Sequence, residues 1–370
     1  MINQQRLIQT FLELVQIDSE TGRENEIQPI LKEKFKALGL DVKEDNAKAL
    51  THFGANNLIC TLKATDENRD KIYFTSHMDT VEPGKNVKPI IKEDGYIYSD
   101  GTTVLGADDK AGLAVILEVL EVIQTNEIPH GQLQFVITVG EESGLVGAKV
   151  LDASLLDADY GYALDASVPV GDITIGAPYQ MKMHATIHGK KAHASTPKEG
   201  ISAINIAAKA ISQMKLGQVD NETTANIGSF NGGGPTYVVT DLVHIWAEAR
   251  SHSKAKIDAQ TEHMKATFIE AAENYDASAE VESELSYPGF KIDEDEKVYQ
   301  VAKKASLTLG FNANSSIGGG GSDGNIINGL GIPTVILGVG YEYIHTTKER
   351  ISKQSLVDLA RYVLKIIENA

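Results

Sequence analysis

Apolar residues recur at helical spacing from the start of the chain. Leu7, Ile8, Phe11, Leu12 and Val15 mark one face, and Ile27, Ile30, Leu31, Phe35 and Leu38 mark a second, with Gly39 placed to end it. The rhythm then changes to short runs typical of strands at 57–62 and 71–76, followed by a hairpin between 87 and 99 that turns at Asp94-Gly95. Residues 110–124 are helical in spacing but apolar on most sides, which predicts a helix buried against a sheet rather than one facing water. Residues 133–139 and 160–164 read as inner strands. This alternation of strand and helix predicts an α/β sheet with helices on both faces.

A second rhythm begins near Ala177-Pro178. Residues 181–188 alternate, 203–215 are helical, 225–231 and 240–249 are strand-like, 256–275 form a second helix, and 279–287 close the series. The order β-α-β-β-α-β is that of a ferredoxin-like unit. After Tyr287-Pro288-Gly289 the helix–strand–helix pattern of 295–309, 334–339 and 352–368 matches the first part again. The expectation is a discontinuous α/β domain, residues 1–176 and 291–370, interrupted by an inserted α+β lid at 177–290.

Composition narrows the chemistry. A chain of 370 residues with 42% hydrophobic and 23% charged residues can bury a large core, and its net charge of −17 argues against nucleic acid or an anionic membrane as partner. The single cysteine, Cys60, excludes an internal disulfide and a thiolate cluster, so any metal must be held by His and carboxylates. The N-terminal residues lack the apolar core of a signal peptide, and no segment is an uninterrupted transmembrane run, so a cytoplasmic location is expected.

Within Ser76-His77-Met78-Asp79-Thr80-Val81 an imidazole ends a strand and a carboxylate follows two residues later. Such a pair suits a metal ligand and the group that fixes its tautomer. Alone it is weak, because a lone His-x-Asp is more often an ordinary surface turn. However, Glu141-Glu142, Asp165 and His345 also follow predicted strands, where ligands bind in open α/β sheets. Asp108 stands at the start of the buried helix, whose N-terminus favours an anion. Each of these alone has a bland account, as an acidic turn, a helix cap or a surface His. Their joint recurrence at strand ends favours a pair of zinc-like ions sharing a water of lowered pKa. Of the adjacent acids Glu141 and Glu142, one would bind metal and the other would move a proton. Among the other histidines, His52, His130 and His263 read as surface residues and His184 and His188 as structural. His193 differs, because it lies in a loop of the inserted unit from which it could reach over the metals.

These motifs resemble peptidase family M20, and in particular its peptidase T branch. The resemblance is carried by 76–81, by Asp100-Gly101-Thr102-Thr103-Val104-Leu105-Gly106-Ala107-Asp108-Asp109-Lys110-Ala111-Gly112, by Glu141-Glu142-Ser143-Gly144, and by Gly319-Gly320-Gly321-Ser322-Asp323-Gly324. It implies a zinc-exopeptidase-like catalytic domain with an inserted ferredoxin-like lid. It implies two Zn2+, with Co2+ or Mn2+ as alternatives, bridged by Asp108. His77 and Asp165 would complete one site, and Glu142 and His345 the other. Asp79 would orient His77, and Glu141 would be the general base and then acid acting on a metal-bridging hydroxide. His193 would polarise the scissile carbonyl, Arg250 would hold a substrate carboxylate, and Asn325 would touch substrate. The implied reaction is release of the N-terminal residue from short peptides, tripeptides above all, with a dipeptidase or N-acyl-amino-acid deacylase as the alternative on the same metals. A homodimer through the lid is a further implied partner. A non-catalytic peptide-binding module is the rival from another class, and Glu141, an acid with no ligand role, argues against it. The chain departs from the pattern at Asp165-Ala166-Ser167, where glycine would be expected.

Overall fold

A computed structural model describes residues 1–370, which divide into two compact units: Met1–Gly176 with Lys291–Ala370, and Ala177–Phe290. No helix is long and apolar enough to cross a membrane.

The first unit is built on a mixed sheet. From one edge its longer strands run Asp41–Glu44, Leu58–Leu62, Leu133–Thr138, Ile72–His77, Tyr160–Ala166, Thr334–Gly338 and Ile173–Ala177, and short strands follow beyond the last of these. The central four, Leu133–Thr138 to Thr334–Gly338, are mutually parallel. Their carboxyl ends therefore lie along one edge. Both Leu133–Thr138 and Ile72–His77 are buried at every position, which explains why the sequence shows continuous runs there and not alternation. Phe35, Phe135, Phe74 and Tyr162 stack in a row across three strands, with centroids 6.3, 6.0 and 5.4 Å apart. The helix Ala107–Thr125 packs on Ile72–His77 and Tyr160–Ala166 and is covered by Gln4–Val15 and Lys353–Asn369. That arrangement accounts for its apolar character on most sides.

Two elements escape the sequence pattern. A small antiparallel sheet joins the expected hairpin, Ile90–Ile91 with Tyr96–Tyr98, to Arg350–Ser352 and Tyr341–Glu342. The non-helical dihedrals of Asp108 and Asp109 are the second; the regular helix begins at Lys110, where the helical spacing of the sequence begins.

The second unit is an antiparallel sheet ordered Gly217–Asp220, Thr223–Gly232, Leu242–Ser251, Tyr179–His188, Ser278–Tyr287. With the helices Ala203–Gln213 and Lys254–Glu273 it makes the expected ferredoxin-like βαββαβ unit, extended by the edge strand Gly217–Asp220. Met183, Ala185, Ile187, Val243 and Ile245 point to the helix side and form its core with Ile206, Ile257 and Phe268.

Candidate metal centre

The first unit gathers His77, Asp108 and Asp165 into one group of ligand atoms and Asp108, Glu142 and His345 into another, each within 4.8 Å. His77 ends a strand, Asp165 stands near the end of its neighbour, and Glu142 follows Leu133–Thr138. His345 comes from the segment between the strand Tyr341–Glu342 and the strand Arg350–Ser352, with a left-handed φ of 60°. Asp108 faces both groups: Oδ1 is 3.1 Å from His77 Nε2, and Oδ2 is 3.3 Å from His345 Nε2. Asp165 Oδ1 lies 3.8 Å from His77 Nε2, and Glu142 Oε2 3.0 Å from His345 Nε2.

The supports are specific. His77 Nδ1 lies 3.0 Å from the main-chain carbonyl of Asp79 and 3.4 Å from its Oδ1, so the carbonyl is the nearer partner. The Asp79 carboxylate instead accepts the main-chain N–H groups of Glu141 and Glu142, at 3.0 and 3.2 Å. Glu24 supports the same turn from the other side, accepting N–H from Gly22, Gly54 and Gly140. The Tyr341 hydroxyl donates to Asp165 Oδ1 at 3.2 Å. Asp109 Oδ1 accepts the Gly112 N–H at 3.2 Å, while its Oδ2 has no partner. Gly112 is required there: a Cβ would come within 2.7 Å of Asp109 Oδ1 and 2.9 Å of Ser76 Oγ.

Burial dominates the electrostatics. It raises the carboxyl pKa of Glu141, further helped by Asp165, and it raises those of Glu142 and Asp165 as well. Asp323, bonded to the Thr138 hydroxyl, is pushed up to about 6 by burial. Asp108 goes the other way; burial opposes ionisation, but hydrogen bonds with His345 and His77 overcome it. His345 is raised to about 10 by its bonds to Asp108 and Glu142. Burial would lower His77, yet Asp108 and Asp79 hold it well above its ordinary value. Lys110, buried with an unpartnered Nζ, is brought down to about 8 by desolvation.

A divalent cation fits this cluster. Its buried carboxylates repel one another, Glu142 Oε1 has no partner, and the donors are imidazole and carboxylate, a set that suits zinc, cobalt or manganese. Glu141 belongs to neither ligand group, and its charge neighbours include Asp165 and His77 of one and Glu142 of the other.

The other sequence-derived candidates have different settings. Asn325 is fully buried and its Oδ1 accepts the Ser322 N–H at 3.0 Å, in a reciprocal capping box of the helix Asp323–Gly329. Its side chain thus serves the loop. His193 and Arg250 belong to the second unit. His193 is exposed; its Nδ1 accepts the Ser195 N–H at 3.2 Å and lies 2.7 Å from the Ser195 hydroxyl. With Nδ1 an acceptor, the ring proton of the neutral form sits on Nε2. Arg250 Nε donates to Glu248 Oε1 at 2.9 Å, a pairing within the second unit. His130, read from sequence as a surface residue, is instead buried, with Nδ1 2.6 Å from the Gly131 carbonyl. The polar residues around it in the chain gave no sign of that. Sequence reasoning also missed Tyr341, whose partner is the distant Asp165 carboxylate, and Glu24 and Glu349, which accept main-chain N–H groups distant in sequence.

Comparison with known proteins gives a concordant picture. A tripeptidase from Staphylococcus aureus subsp. aureus Mu50 superposes with a TM-score of 0.97 at 65% identity, over 100% of this chain and 98% of that one. The aminopeptidase PepT of Bacillus cereus ATCC 10987 gives 0.94 at 54% identity, over 100% and 99%. Peptidase T of Geobacillus kaustophilus (strain HTA426) is 28% identical over 98% of both chains. The profile of Peptidase family M20/M25/M40 matches residues 73–369. On these grounds, and with Asp108 shared between two ligand groups, this chain belongs to peptidase family M20/M25/M40.

Proposed function

We propose that this chain is a two-metal aminopeptidase that removes the N-terminal residue from short unblocked peptides, tripeptides above all. The observation that carries the reading is Glu141, a buried acid beside two ligand groups joined by Asp108 and a member of neither. The peptide-length preference draws on the likeness to the tripeptidase and PepT structures.

His77, Asp108 and Asp165 would hold one ion, and Asp108, Glu142 and His345 the other, with zinc as the first candidate. When bound, such ions supply Lewis acidity and bring the pKa of water toward neutrality. The Glu141 carboxylate takes a proton from the attacking water and passes it to the leaving nitrogen. Asp79 fixes the main chain of Glu141, so the carboxylate enters the site from a set direction. The Nε2–H of His193 is suited to donate to a developing oxyanion. Arg250, oriented by Glu248, is the candidate for the peptide's terminal carboxylate, a group matched by the guanidinium fork.

The test is hydrolysis of a free tripeptide, a dipeptide, an N-blocked tripeptide and an N-acyl amino acid, with metal analysis of the same protein. Release of the first residue from the free tripeptide, about two metals per chain and loss of turnover on chelation are expected. Cleavage of the N-acyl amino acid alone would replace this reading with a deacylase.

A further inference from the structure

Glu349 is buried four residues beyond His345, and the hydrogen bonds its carboxylate accepts come from main-chain N–H groups. Oε2 accepts the N–H groups of Leu105 and Gly106, at 2.7 and 2.8 Å, and Oε1 accepts that of Asp108 at 3.0 Å. These three donors need an external partner, since the regular helix starts only at Lys110. Converging N–H groups of this kind form an anion-binding nest, here filled by a side chain 241 residues away from Asp108.

The position of the residue gives this contact a consequence for both ligand groups. The peptide N–H of Asp108 sets the plane from which its side chain leaves, and that side chain presents Oδ1 to His77 and Oδ2 to His345. Glu349 also belongs to the short segment carrying His345, where Tyr343 and His345 both adopt left-handed φ, at 57° and 60°. One side chain therefore ties the segment of the shared ligand to the segment of a ligand of the second group.

We infer that Glu349 is a positioning residue for the two-metal centre, fixing Asp108 and His345 relative to each other. The inference rests on the two-metal reading above. Glutamine cannot replace it, because its amide would aim N–H at at least one of three N–H donors.

The test is competition for Zn2+ between the protein and a chromophoric chelator, for wild type and E349Q, with the thermal unfolding of each metal-free protein. Wild type is expected to bind about two Zn2+ per chain. In E349Q the affinity for both ions should fall about 10- to 100-fold, since Asp108 serves both groups. At saturating Zn2+, kcat should recover with KM unchanged. A purely structural role would lower the unfolding temperature and leave Zn2+ affinity alone, and that result overturns the proposal; so does a loss confined to one ion. If wild type itself fails to bind two Zn2+, the two-metal reading fails first. Should E349Q not fold, E349D carries the test. It keeps both oxygens but withdraws them by one methylene, so a smaller loss on both ions is expected and wild-type affinity overturns the inference. If neither variant folds, Glu349 belongs to the fold alone and the proposal is wrong.

Discussion

The carboxylate of Asp79 accepts the main-chain N–H of Glu141 at 3.0 Å, while the main-chain carbonyl of the same Asp79 faces His77 Nδ1 at the same distance. These are two separate tasks, and substitution can divide them. Asp79→Asn leaves the carbonyl in place but turns an amide toward the N–H groups of Glu141 or Glu142. The expected outcome is a fall in kcat of about 10- to 100-fold with both metals retained. Loss of one metal, with normal kcat when metal is restored, would mean that Asp79 acts through His77 instead.

Glu141→Gln removes the proton carrier and keeps its shape. Turnover should drop about 100- to 10,000-fold with metal content unchanged. The ionised carboxylate is disfavoured by burial and by Asp165, so the same change should raise, or at least not lower, the unfolding temperature of the metal-free protein. Unaltered turnover would end the general-base assignment.

The parts of the molecule legible in the sequence are those whose signals are local. The run Ile72–His77 announces a buried strand, and a histidine at its end stands where open α/β sheets bind ligands. Asp165 and the pair Glu141-Glu142 could be found the same way, though strand-end position does not say which of the two acids is the ligand. Glu349 could not, because the feature that defines it is three main-chain N–H groups more than two hundred residues earlier. The turn at Asp94-Gly95 announced the hairpin of Ile90–Ile91 and Tyr96–Tyr98, but Tyr341–Glu342 and Arg350–Ser352, which extend it around the His345 segment, are too short for alternation to show. Asp79 illustrates a middle case: its spacing from His77 pointed to the ring, whereas its carboxylate is spent mainly on the Glu141-Glu142 turn.

Cys60 offers an independent probe of the fold. It lies on Leu58–Leu62 with 0% of its surface exposed, and burial pushes its thiol up from the ordinary range. A thiol reagent such as an aromatic disulfide should label the native protein only through unfolding. Ions that bind the folded chain stabilise it by mass action, so chelation should speed the labelling. Rapid labelling of the metal-loaded protein would contradict the packing around this strand.

Metal binding should be linked to protons, with a definite sign. In the metal-free protein His345 is raised to about 10 by its hydrogen bonds with Asp108 and Glu142, yet a histidine ligand must be neutral. Below that pH, an ion entering the Asp108–Glu142–His345 group displaces the His345 proton. Affinity should therefore climb with pH, by up to about tenfold per unit for each proton released. The apoprotein moves the opposite way. A raised histidine pKa stabilises the fold fully below the unfolded value near 6.5, and that contribution is lost as pH rises through 10. Increasing pH should thus widen the gap in unfolding temperature between loaded and metal-free protein. Calorimetric titration of Zn2+ at pH 8, in buffers of different ionisation enthalpy, counts the protons directly. Release of about one proton or more is expected; none released, with affinity independent of pH, would show that His345 does not bind the ion.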